Sequence, residues 1–136
     1  MRKLECVLLV DDDFASNYLT DIIIKDMNFA ENTHIVRDGK AAVDFMRNYC
    51  LPKQTSTTIT CPDLILLDIN MPLMDGWEFL KKIDQLEQRN HFHTNVYLYT
   101  SSVYHEDKVK AKSFPIVKKV FVKPLTKEAI QEMLAG

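Results

Sequence analysis

Apolar residues fall along this chain in two alternating patterns. Short continuous runs, Cys6–Val10, Leu64–Leu67, Val96–Tyr99 and Val120–Val122, are separated by longer stretches with apolar residues at helical spacing. Continuous short runs describe strands buried on both faces, as in a parallel sheet. The pattern predicts strands at about 5–10, 33–36, 64–68, 96–99 and 119–122. The intervening helical stripes are Ala15, Leu19, Ile22, Ile23 and Met27; then Ala41, Ala42, Phe45, Met46 and Tyr49; then Trp77, Phe79, Leu80, Ile83 and Leu86. A fourth helix over 104–113 has weak periodicity, mainly Val109 and Ala111. The fifth follows Thr126, an N-cap candidate, with Ile130, Met133 and Leu134 inward. Leu51–Pro62, rich in Thr and Ser, is a surface loop longer than the usual connection of about 2–6 residues. Five βα units predict an α/β, doubly wound, five-stranded parallel sheet with helices on both faces.

Three of the five predicted strands end in charged residues. Asp11-Asp12-Asp13 follows the first, Asp68 ends the third, and Lys123-Pro124 follows the fifth. Parallel strands deliver their carboxyl ends to one edge, where open α/β sheets bind ligands. Carboxylates gathered there repel one another and call for a cation. Oxygen donors alone select a hard ion, Mg²⁺ first.

At 136 residues and formal charge −2, the chain is expected to be one domain spanning 1–136, without the charge signature of a nucleic-acid binder. No stretch reaches the roughly 20 apolar residues of a membrane span, and the N-terminus is no signal peptide. Three cysteines, Cys6, Cys50 and Cys61, are odd in number and suggest a reducing, cytoplasmic setting. Cys50 and Cys61 flank one loop, but no Cys-x-x-Cys or Cys/His pairing supports a disulfide or a metal site there.

Val-Asp-Asp-Asp at 10–13, Leu-Asp-Ile-Asn-Met-Pro-Leu-Met-Asp-Gly at 67–76, Thr-Ser at 100–101 and Lys-Pro at 123–124 occur in register over nearly the whole chain. The set resembles the receiver domain of two-component response regulators. The resemblance implies a flavodoxin-like strand order 2-1-3-4-5 and a phosphoryl group accepted by Asp68 from a phosphohistidine of a histidine kinase or histidine phosphotransfer protein. It implies Mg²⁺, with Mn²⁺ able to substitute, held by Asp12 directly, by Asp11 mostly through water, by Asp68 and by the Asn70 backbone carbonyl. Thr100 and Lys123 would touch the phosphoryl group. Ser101 would leave access to it, and Pro124, cis in the family, would orient the loop. Output would reach a downstream protein through the face of helix four, strand five and helix five, with no output domain in the chain.

Other readings accompany these. Asp13 reads as a helix N-cap. His91 and His93 read as surface histidines, Trp77 as core or half-buried, and Lys108, Lys110, Lys112, Lys118 and Lys119 as a solvated face. Family members often carry an aromatic switch residue three positions before the lysine; here Val120 stands there, with Phe121 on the opposite face. The alternatives are a receiver-like interaction module without phosphorylation, and an aspartyl phosphatase. The second lacks its acid two residues after the nucleophile, since Asn70 occupies that place.

Overall fold

A computed structural model describes residues 3–51, 60–71, 73–90, 92–101 and 104–135. The elements run β1 (Leu4–Val10), α1 (Phe14–Asp26), β2 (Ala30–Val36), α2 (Gly39–Cys50), β3 (Leu64–Asp68), α3 (Gly76–Asn90), β4 (Asn95–Thr100), α4 (His105–Ala111), β5 (Val117–Val122) and α5 (Lys127–Ala135). The strands form one parallel sheet in the order β2-β1-β3-β4-β5, as expected. All five βα units are present, and β2 and β5 begin earlier than their apolar runs suggest.

The period of two along each strand sorts the core into halves. Leu8, Val10, Ile65, Leu67, Val96 and Leu98 face Met46 of α2 and Leu80 and Ile83 of α3. Val7, Leu9, Leu64, Leu66, Tyr97 and Tyr99 face Ile24 of α1 and Ile130 and Met133 of α5. Val120 packs with the first half and Phe121 with the second, so the two side chains do lie on opposite faces of β5. Trp77 is buried, as its place in the α3 stripe suggests.

Two expectations need correction. The α1 stripe is only partly the inward face. Asn17, Thr20 and Ile24 are buried with Ile23 and Met27 half-buried, while Leu19 and Ile22 are 54% and 46% exposed. Asn17 takes an inward position because its amide donates to the Asp11 carbonyl at 2.8 Å. A count of apolar residues cannot see a polar residue with a buried task.

Cys50 and Cys61 are joined by a disulfide, with their Cα atoms 4.6 Å apart. α2 runs back across the sheet, so its last residue comes down beside the chain entering β3. That proximity is tertiary and leaves no spacing motif. Of the intervening loop, residues 52–59 lie outside the described residues, as does His91. The loop's described ends stand at the amino edge of the sheet, where the Asp63 N–H donates to the Cys6 carbonyl at 2.9 Å.

The turn after β3 is closed by Gly76, whose N–H donates to the Ile69 carbonyl at 2.9 Å. A Cβ there would lie 2.8 Å from Ile69 Cα and 2.9 Å from the Asp68 carbonyl oxygen. Both neighbours are backbone and cannot swing aside. Gly76→Ala should therefore cost about 1–3 kcal/mol, read as a lowered urea midpoint. An unchanged midpoint would mean that the turn shifts freely.

Candidate functional site

Strand register brings the polar ends together. Val10 is level with Leu67 and with Val36, Asp68 with Tyr99, and Thr100 with Val122. The residues just beyond these pairs share one edge, stitched by Asp11 N–H to the Val36 carbonyl at 3.1 Å and Lys123 N–H to the Thr100 carbonyl at 2.8 Å. Asp11, Asp12, Asp68, Thr100 and Lys123 thus converge from four strand ends.

Asp11 is wholly buried and fully hydrogen-bonded. Its Oδ1 accepts from the Asp13 N–H at 3.0 Å; its Oδ2 accepts from Lys123 Nζ at 2.7 Å and from the Tyr99 hydroxyl at 2.8 Å. Burial alone would raise its pKa, but these donors, with Ser16, outweigh it and hold the carboxyl below its ordinary value. Asp68 is 5% exposed, with Oδ1 accepting from the Asn70 N–H at 3.1 Å and Oδ2 from Lys123 Nζ at 3.2 Å. Burial pushes its carboxyl above the usual range. The Asn70 N–H and Lys123 pull the other way, and the Asp11 charge adds to the rise. Lys123 stands between the two carboxylates. Burial works against its charge, yet the two anions keep its pKa raised. Two carboxylates joined by one ammonium are thus held in opposite directions, Asp11 committed to its anion and Asp68 less so.

Asp12 is half-buried at the rim. Its backbone carbonyl accepts from Arg37 at 3.2 Å, and that guanidinium lies 3.3 Å from the Phe14 ring centroid. Asp13 caps α1, accepting from the Ala15 N–H at 3.0 Å, as its position suggested. The Asn70 side-chain amide donates to Thr100 Oγ at 2.9 Å. Ser101 is exposed at the bend after β4, and the Lys123–Pro124 peptide is cis. Pro72 lies outside the described residues.

One oxygen from each of Asp11, Asp12 and Asp68 lies within 4.8 Å of the others, the only such cluster of three acidic, His or Cys groups among the described residues. Three carboxylates against one ammonium leave net negative charge in a largely buried crevice. That donor set, all oxygen and partly open to solvent at Asp12, fits a hard divalent cation.

Sequence reasoning did not single out Tyr99, Asn17, Ser16 or Arg37. Tyr99 sits inside a strand, where an aromatic reads as core. Its hydroxyl matters only because parallel pairing sets it level with Asp68. On the surface beside the site, α1 shows Phe14, Tyr18, Leu19 and Ile22 to solvent. Of these only Leu19 lines a hollow of about 290 Å³, together with Ser16, Ile23, Lys123 and Leu125 among others.

A parallel 2-1-3-4-5 sheet with this acidic crevice at its carboxyl edge defines the receiver class of α/β protein. The profile of the response regulator receiver domain matches residues 7–135, and the chain belongs to that family. It is 30% identical over 135 residues to the chemotaxis protein CheY of Halobacterium salinarum, covering 96% of this chain and 97% of that one. It is 30% identical over 121 residues to hybrid signal transduction histidine kinase B of Dictyostelium discoideum, covering 82% of this chain but only 6% of that protein. The crystal structure of a two-component response regulator from Cytophaga hutchinsonii superposes with a TM-score of 0.83 at 31% identity, over 98% of this chain and 96% of the other. The chain is therefore a CheY-like response regulator receiver, and its Asp11/Asp12/Asp68 pocket fits a phosphoacceptor site. Receiver domains bind Mg²⁺ at such a cluster and interact with histidine kinases or phosphotransfer proteins. Among the described residues no helix is long and apolar enough to cross a membrane.

Proposed function

We propose that this receiver domain takes a phosphoryl group onto Asp68 from a phosphohistidine of a histidine kinase or histidine phosphotransfer protein in the cytoplasm. The observation that carries the reading is the difference between the two buried carboxylates. Asp11 accepts three hydrogen bonds, one on Oδ1 and two on Oδ2, whereas Asp68 accepts two, one on each oxygen, and its Lys123 contact is the longer of the pair. Asp68 is the less saturated of the two carboxylates.

An Asp68 carboxylate oxygen attacks phosphorus as the P–N bond breaks, and the bond's electron pair stays on the imidazole nitrogen. Lys123 is placed to follow the phosphoryl oxygens, and Thr100 exchanges its Asn70 partner for one of them. Asp11, Asp12, Asp68 and the Asn70 carbonyl would hold Mg²⁺ or Mn²⁺, which offsets charge on the transferred group. Asp12 would ligate the ion directly, and Asp11 would act mostly through water. Ser101, small and exposed, leaves the approach open, and Pro124 orients Lys123. Slow hydrolysis of the acyl phosphate returns Asp68.

The exposed apolar residues of α1 beside the crevice suit a docking phosphodonor. Output goes to a protein partner on the face of α4, β5 and α5. Lys108, Lys112, Lys118 and Lys119 rim a hollow of about 280 Å³ there, floored by Ala111, Val117 and Val120. No nucleic-acid contact or membrane insertion is assigned to this chain. With Val120 in place of an aromatic, the response runs through Thr100 and Lys123.

The test is intact mass after incubation with acetyl phosphate. One phosphoryl addition is expected with Mg²⁺ and none with a chelator. Asp12→Ala should weaken Mg²⁺ binding more than Asp13→Ala, whose carboxylate is engaged in capping α1. Equal losses in titration calorimetry would contradict these roles, and phosphorylation indifferent to chelation would contradict the metal.

A further inference from the structure

We propose that Cys50 and Cys61 are a redox modification site, a disulfide that a thiol reductant opens and an oxidant recloses, at the sheet edge opposite Asp68. Cys50 ends α2 and Cys61 lies three residues before β3, with Cα atoms 4.6 Å apart. The two residues differ in exposure. Cys50 is buried in the core half that holds Leu67, with its sulfur 3.8 Å from Met46 Sδ. Cys61 is half-buried against the same cluster and retains a solvent side.

That asymmetry orders the chemistry. A reductant thiolate attacks Cys61 Sγ; the S–S bond breaks, and Cys50 leaves with the electron pair and takes a proton. A second reductant thiolate then attacks the reductant sulfur of the mixed disulfide. This frees the Cys61 thiolate and an oxidised reductant, two electrons in all. Glutathione disulfide drives the reverse.

The third cysteine stays out of this exchange. Cys6 is buried in β1, and burial, with Asp63 and Glu5 beside it, pushes its thiol up to about 11. Exchange needs a thiolate, so Cys6 is inert near neutral pH. The inference rests on the cytoplasmic setting proposed above only for its biological reductant. In a thiol-buffered compartment disulfides are transient or sensing rather than permanent.

Opening acts on a defined part of the fold. The bond ties the last turn of α2 to the segment leading into β3, and closes an 11-residue separation. Reduction restores that freedom to the unfolded chain. Asp68 sits at the far end of the same strand, so its chemistry should be insensitive to the bond.

Free thiols counted under denaturing conditions should be one in air-oxidised protein, three after dithiothreitol, and one again after glutathione disulfide. Under native conditions reduced protein should alkylate first at Cys61, with Cys6 protected. Reduction should lower Tm by roughly 5–15 °C. The Cys50→Ala/Cys61→Ala protein should melt like reduced wild type and ignore reductant. Acetyl phosphate should modify oxidised and reduced protein at rates within a few-fold. Three free thiols before reduction, failure to reclose, or a Tm indifferent to dithiothreitol would overturn the proposal, and the thiol count does not depend on any variant folding. Loss of phosphorylation in both redox states would instead count against the function proposed for Asp68.

Discussion

Asp68→Asn is expected to abolish phosphoryl addition from acetyl phosphate, by at least about a thousandfold in rate, since an amide is a far poorer nucleophile than a carboxylate. The size of the effect depends on whether a neighbour can stand in. Asp11 cannot, because its oxygens are taken by Lys123, Tyr99 and the Asp13 N–H, and its anion is held well stabilised. Asp12 reaches the crevice only from its rim. Asn is close in size to Asp and can keep the Asn70 contact, so the fold should survive. Intact mass and circular dichroism on the same sample check both halves. A folded Asp68→Asn protein that still gains one phosphoryl group would remove Asp68 as the acceptor.

Lys123→Met should be the most destabilising single change at the site. It leaves the wholly buried Asp11 carboxylate without its ammonium, and breaking such a pair costs about 3–5 kcal/mol. The loss should show in urea unfolding with a chelator present. Adding Asp11→Asn should recover a large part of it, because the orphaned charge is then gone. A double variant no more stable than the single one would show that Lys123 acts through packing, including its position 4.8 Å from the Tyr99 ring.

The pH dependence has a definite sign. The depressed pKa of Asp11 contributes stability that is present above the ordinary carboxylate value and lost as pH falls through the lower folded one. The raised pKa of Lys123 contributes stability that is present below the ordinary lysine value and lost as pH rises through the higher folded one. Asp68, with a raised pKa, opposes Asp11: its contribution is largest below the ordinary carboxylate value and lost as pH rises through the folded one. The gap between wild type and Lys123→Met should therefore narrow as pH drops from 7 toward about 4, where a proton can replace the missing ammonium on Asp11. A constant gap would mean that Asp11 is not the group left exposed to the loss.

Strand and helix order, the parallel sheet and the carboxylate-and-lysine character of the crevice were legible in the pattern of residues. Continuous apolar runs mark strands covered on both faces, and parallel strands must end at one edge, so Asp11, Asp12, Asp68, Thr100 and Lys123 could be assembled without coordinates. Local signals also sufficed for the Asp13 and Thr126 caps, where a side chain meets a backbone N–H two or three residues away. The contacts that emerge only on folding join partners far apart in the chain. The Tyr99 hydroxyl on Asp11 spans 88 residues, and the division of Lys123 between Asp11 and Asp68 spans 112 and 55. The inward Asn17 and the outward Leu19 and Ile22 show the same limit, since periodicity ranks residues by hydrophobicity while the fold places them by available hydrogen bonds. The Cys50–Cys61 bond is the clearest case. Its 11-residue separation matches no spacing rule, and only the return of α2 to the start of β3 brings the two sulfurs within bonding reach.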